Sequence, residues 1–314
     1  MLRQIQYAGF ILFSVLILLV AGLYKNAEFA MIMSRGNYFF DNSRDRADIQ
    51  EILLTSPDSK SVTLARRNNL WYVKEADDYF AAFRNVAQLT KLIRQAAVYR
   101  ADVIDEQKLA DFKKDAIVIK TVSRNGDTVD EAFIIPKKDG MKFHYALLNN
   151  SPLLYQITGD FDLSFYPMDW IQSPLLSIKD RQIKRIKNND FQVYRRFAAE
   201  DLKDVQTNLH VPHIQNLTAN LWYLSALDVN HAVNFDRKKY HKSQSYEITT
   251  FGGLRYLLDI FSDGSEYWLS IQLKVDATVD AEDMRFYKEN HTLYSGWFFK
   301  ISPDIGEFLN NFSI

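Results

Sequence analysis

The chain of 314 residues contains no cysteine. That excludes disulfides, thiolate metal sites, a cysteine nucleophile and an acylated-cysteine anchor. Glycine and proline are scarce, at 11 and 7 residues, so long flexible linkers are not expected. Neither sign of charge dominates. The 38 basic side chains stand against 39 acidic ones, net −1, which gives no electrostatic reason to bind nucleic acid. A phosphate-binding P-loop, a Gly-x-Gly-x-x-Gly turn and a Gly-x-Ser-x-Gly elbow are all missing. ATP binding by this chain is therefore not expected.

What is present begins with an apolar run. Tyr7 to Tyr24, YAGFILFSVLILLVAGLY, is 18 residues without charge or proline. As a helix it would be about 27 Å long, near the roughly 30 Å core of a bilayer. Tyr7 and Tyr24 stand at its two edges, where amphipathic rings prefer to sit. The run exceeds the apolar part of a cleaved signal peptide, and Lys25 stands where a small residue is wanted before Ala27. The expectation is an uncleaved signal anchor over 1–24, single-pass in the inner (cytoplasmic) membrane. The N-terminus would be cytoplasmic and the bulk of the chain periplasmic or outside. Residues 25–46 would be a juxtamembrane connector.

Short β-branched and aromatic runs follow: EILLTS (51–56), SVTLAR (61–66) and LWYVK (70–74). Phe83, Val86, Leu89, Leu92, Ile93 and Ala96 then recur at helical spacing, and a shorter helix is expected over 106–113. Strands at 116–122 and 131–136 flank Asn125-Gly126, a strong hairpin signal. Strands at 142–148 and 153–158 lead to a helical closing segment over 161–173. The order then restarts, with strands at 182–188 and 191–197 and a helix over 214–227. Strands at 246–251, 254–261, 267–274 and 297–302 follow, and a last helix capped by Ser302. This is a weak internal repeat of about 130 residues. The expected fold class is α+β: an N-terminal transmembrane helix, then two similar modules, 47–173 and 174–314. Each would be an antiparallel sheet covered by a helix.

Several segments together resemble a known family. LARRNNLWYVKEADDYFAA (64–82), DWIQSPLLSIKDRQIKRI (169–186), LTANLWYLSALDV (217–229), TFGGLRYLLDI (250–260) and LYSGWFFKISPDIGEFL (293–309) resemble an uncharacterised bacterial envelope family. It is a domain-of-unknown-function family, often encoded beside gliding-motility-type ABC transporter genes. The family usually has proline where this chain has Phe80. The resemblance implies a membrane-anchored envelope protein near a transporter. It implies no reaction and no catalytic residue.

Candidate chemistry is thin, and no catalytic, cofactor or metal residue is assigned. His210-Val-Pro-His213 with Asp201, Asp204, His231 and His241 invites a metal reading, but zinc needs three or four converging ligands. Asp160 and Asp162 could be paired carboxylates, yet they stand at an expected helix start, as Asp304 does. Strand aromatics Trp71, Tyr72, Tyr145, Tyr155, Trp268 and Trp297 could form a ligand platform, though core packing is the commoner use. The densest basic run is Lys179, Arg181, Lys184, Arg185 and Lys187. It reads as the wet face of a sheet or as a surface for an anionic lipid headgroup, polysaccharide or acidic protein. A second run is Arg237, Lys238 and Lys239.

The function expected from these readings is a non-enzymatic, membrane-anchored envelope auxiliary or scaffold protein. Its partners would be the lipid bilayer and a membrane protein such as transporter subunits. An envelope polymer- or lipid-binding module and an envelope hydrolase are the alternatives.

Overall fold

The computed structural model describes residues 39–40, 49–137, 141–149, 151–176, 178–211 and 213–314. The apolar run with Tyr7 and Tyr24 lies outside the described residues, as does almost all of 25–46. The chain divides into two compact units. The first holds the chain up to Asn69 and Phe83–Phe165; the second holds Leu70–Ala82 and Tyr166–Ile314.

In the first unit, β1 (Ile49–Thr55) and β2 (Ser61–Arg67) alternate buried and wetter positions, with Ile52, Leu54, Val62 and Leu64 inward. That is the period of a half-buried strand. The strands β3 (Leu70–Val73) and β4 (Tyr79–Phe80) lie in the segment that groups with the second unit. α1 (Phe83–Gln95) buries Val86, Leu89 and Ile93 but leaves Phe83 exposed. Then come β5 (Val98–Val103), α2 (Glu106–Lys114), β6 (Ile117–Ser123), β7 (Thr128–Ile135), β8 (His144–Leu148) and β9 (Leu153–Ile157). α2 is capped by the Asp105 carboxylate, which accepts the Lys108 N–H at 2.8 Å. Gly126 turns the β6–β7 hairpin at φ +84°, where a side chain would be strained. The antiparallel order within this unit is β2-β1-β6-β7-β8-β9-β5.

The second unit adds β10 (Ile183–Lys187), β11 (Gln192–Tyr194), β12 (Lys203–Asp204), α3 (Ile214–Trp222) and β13 (Asp228–His231). The long meander β14 (His241–Thr250), β15 (Leu254–Ser262) and β16 (Tyr267–Val275) follows, then α4 (Ala281–Tyr294), β17 (Trp297–Ile301) and α5 (Pro303–Asn311). The antiparallel order is β12-β11-β10-β14-β15-β16-β17-β13. In both sheets a short hairpin precedes a four-strand meander. The strand just before each meander is added at its far edge, β5 in one sheet and β13 in the other.

The expected α+β class is overturned. The described residues form mainly two large antiparallel sheets, of nine and eight strands, with few helices. The longest helix among the described residues has 14 residues, about 21 Å, whereas eight strands at about 4.8 Å spacing span roughly 34 Å. One helix cannot cover such a face. The expected transmembrane helix is not part of the described fold either. Among the described residues no helix is long and apolar enough to cross a membrane. The closing helix over 161–173 reduces to a 3-10 turn, Pro167–Trp170. Proline fits the first helical positions and breaks what precedes it. The helix from Ile214 stops at Trp222, because Leu227 leaves to give its N–H to the Lys300 carbonyl at 2.7 Å.

Candidate functional site

The second sheet has two unlike faces, and register assigns each residue to one of them. Ile186 lies opposite Val193 and Ile248, Ile248 opposite Tyr256, and Tyr256 opposite Leu273. This apolar face is the covered one. Tyr246 donates its hydroxyl to the Leu309 carbonyl of α5 at 2.5 Å, and Tyr294 of α4 donates to the Leu175 carbonyl at 2.7 Å. Tyr79 of β4 packs edge-on against Trp297 and Phe299, at 4.9 and 5.4 Å, and donates to the Leu293 carbonyl at 2.8 Å. Burial pushes the phenols of Tyr79, Tyr256 and Tyr294 far above their ordinary value and that of Tyr246 up to about 12.

Among the described residues, the opposite face makes no such hydrogen bond to or from a helix. One row across it reads Tyr194, Arg185, Thr249, Arg255, Lys274; the next reads Gln192, Lys187, Glu247, Leu257, Gln272. Its charges are interleaved. Glu247 lies 3.2 Å from Arg185 and 3.6 Å from Arg255, and Arg255 lies 2.9 Å from Asp276.

At the β13 end the same face is apolar and strapped. Phe261, Trp268 and Phe298 lie under the segment 232–240, with Phe235 stacked on Phe298 at 3.7 Å and on Tyr240 at 5.4 Å. Glu266 anchors the strap, bonded to Lys300, to the Tyr240 hydroxyl and to Lys239. The Lys300 ammonium and Tyr240 hydroxyl hold its carboxyl down to about 2.

Two cavities adjoin β10 and β11. One of about 410 Å³ is lined by Lys184, Arg185, Gln192, Tyr194, Arg195, Val205, Thr249 and Asp276. Another of about 250 Å³ includes Asp180, Arg181, Arg195, Asp201 and His210. Arg195 belongs to both walls. Its guanidinium grips the Asp180 carboxylate at 3.0 Å and the Asp180 and Glu200 carbonyls at 2.7 and 3.1 Å.

The basic run is thereby distributed. Lys184 and Arg185 share the larger cavity. Lys187 faces the open side of the sheet. Lys179 precedes the 3-10 turn Asp180–Gln182, and Arg181 on that turn donates to the Ala198 and Glu200 carbonyls, both at 3.2 Å. Arg195 was not among the residues singled out from sequence. Strand alternation was the available signal: Phe191, Val193 and Arg195 are buried while Gln192 and Tyr194 are wetter. A buried arginine requires an acid.

The other candidates separate. Among the described residues no three acidic or histidine side chains gather as metal ligands. His210 lies 4.0 Å from Asp201, and the His231 ring stands edge-on to Trp297 at 4.8 Å. Asp160 accepts the Asp162 N–H at 3.4 Å in an irregular stretch, while Asp304 does sit in the first turn of α5. Tyr155, Trp268 and Trp297 are core, whereas Trp71, Tyr72 and Tyr145 are half-buried.

No protein-family model matches the chain, and neither a curated protein nor a solved structure matches it.

Proposed function

We propose that this chain is a non-enzymatic envelope component held at the inner membrane by its apolar run, residues 7–24. Its second unit would present the open sheet face to a membrane-protein partner, such as the subunits of an ABC-type transporter. The single observation that carries the reading is that face. It is a broad strand surface, backed by a helix-packed core, with the fixed charge pattern Arg185–Glu247–Arg255–Asp276. Such a pattern selects a complementary partner by charge and register. The deeper charges have structural uses that support a scaffold: Arg195 ties down Asp180, and Asp283 accepts the Thr250 hydroxyl and Leu254 N–H at 2.5 and 3.1 Å.

The test places a photo-crosslinking residue at Leu257 or Gln272 in the full-length chain in cells. A discrete adduct with one membrane protein, lost on Arg255→Glu, is the expected result. Background labelling from both positions would overturn the proposal.

A further inference from the structure

We propose that the β11–β12 margin of the second unit docks onto an anionic phospholipid surface. This rests on the membrane-held reading for the nearness of a bilayer. It does not rest on the protein partner of the sheet face.

Three large apolar side chains stand out at this margin. Phe197 and Leu209 are each 67 % exposed and Val205 43 %. They lie on two loops that flank β12, with His210 of the second 4.0 Å from Asp201 of the first. Arg181, held to the Ala198 and Glu200 carbonyls, fixes the first loop beside β10. Val205 gives its N–H to the Gln192 carbonyl at 3.0 Å, and Leu209 accepts from the Asp204 N–H at 3.0 Å. Val205 also shares a cavity wall with Lys184 and Arg185.

The cations around these tips are available. Between 179 and 196 the sequence has seven basic and two acidic side chains, in a chain whose net charge is −1. Lys184, Lys187 and Arg196 are exposed and form no ion pair among the described residues. The acids of this stretch, Asp180, Asp190, Glu200, Asp201 and Asp204, are outnumbered by the eight basic side chains of residues 179–210, and three of them are engaged within the fold. Asp180 pairs with Arg195, Asp204 accepts the Gln206 and Thr207 N–H groups at 3.1 and 2.7 Å, and Glu200 accepts those of Arg196 and Phe197 at 3.0 and 3.4 Å.

Exposed apolar tips beside a lysine- and arginine-rich strand suit the headgroup boundary. There the tips reach the acyl region while the cations meet phosphate oxygens. An acidic protein surface would use the cations but leave Phe197 and Leu209 without an apolar counterpart, so lipid is favoured.

The absence of cysteine makes the test clean. Leu209→Cys in the full-length chain carries one polarity-sensitive dye, with Val233→Cys as control. Val233 is 85 % exposed and follows β13, the opposite edge of the sheet. Both proteins are reconstituted into phosphatidylcholine vesicles with and without phosphatidylglycerol. The expected result is a blue shift, with quenching by spin-labelled lipid, at 209 only and with anionic lipid only. Lys184→Gln and Arg196→Gln should each lower the partition coefficient onto anionic vesicles about fivefold, with tryptophan emission confirming that both variants are folded. Equal shifts in neutral vesicles, or a shift at 233 as large as at 209, would overturn the proposal. So would no shift at 209, including the case in which 209 instead crosslinks to an acidic protein in cells. None of these outcomes bears on crosslinking from Leu257, so the two proposals fail separately.

Discussion

Asp180 holds its carboxylate 3.0 Å from the guanidinium of Arg195, and the two differ sharply in exposure, 45 % against 1 % for their side chains. Removing the acid leaves a buried cation with only carbonyl partners; removing the arginine leaves a carboxylate that water can reach. Asp180→Ala should therefore cost about 3 kcal/mol, and Arg195→Met less. Every tryptophan, at 71, 170, 222, 268 and 297, belongs to the second unit. The urea midpoint of tryptophan emission reads this difference directly. A larger loss for Arg195→Met would refute the assignment.

His144 gives the first unit a pH dependence of known sign. Its Nδ1 accepts the Lys137 N–H at 3.0 Å and its Nε2 donates to the Gly159 carbonyl at 3.1 Å, so the folded ring is neutral. Burial, helped by Lys137 and opposed by the Gly159 bond and Asp160, holds it below the ordinary 6.5. The unfolded chain takes up the proton first. Stability is thus full above about pH 6.5 and falls as pH drops below it, by at most about 1.4 kcal/mol per pH unit. Hydrogen exchange of the Lys137 amide, corrected for intrinsic rate, should rise between pH 7.5 and 5.5. In His144→Asn the rise should be absent.

Gly306 sits inside α5 where it touches a strand. A Cβ there would lie 2.1 Å from Tyr267 Cγ and 2.3 Å from Tyr267 Cβ. These atoms are close to the backbone and cannot swing away. The helix-propensity gain of alanine is about 1 kcal/mol, and the overpacking cost is about 3 kcal/mol or more. Gly306→Ala should lower the urea midpoint by emission. An unchanged or raised midpoint would show that α5 slides freely over the sheet.

Glu266 is bonded to Lys300, Tyr240 and Lys239 together. Its depressed titration, about 2 against an ordinary 4.5, means its support is complete above pH 4.5 and is lost as pH falls through about 2. Glu266→Gln at pH 7 should speed exchange of amides 235–240, with little change in those of β15. Equal acceleration in both places would make Glu266 a general core residue and not the strap's anchor.

Much of the architecture was legible because hairpins are local. Asn125-Gly126 and Asp263-Gly264 turn their strands with Gly126 at φ +84° and Gly264 at +95°, and Ser302 caps α5 by accepting the Ile305 N–H at 3.4 Å. Three things were not legible. α4 packs half-buried Met284, Phe286 and Tyr287 at broken spacing, so no clean stripe marks it. β13 is four residues long, DVNH, and is a strand only because β17 pairs with it. The pairing of Arg195 with Asp180 depends on tertiary folding across 15 positions.

Residues 70–82 leave the sequence of the first unit and bring Tyr79 to Trp297 and Phe299 of the second. A ribosome delivers this piece long before the strands it meets, so that part of the second unit's core must wait unfinished while the intervening chain is made. Gene fragments that start after Phe165 would encode all the later strands and still lack that ring.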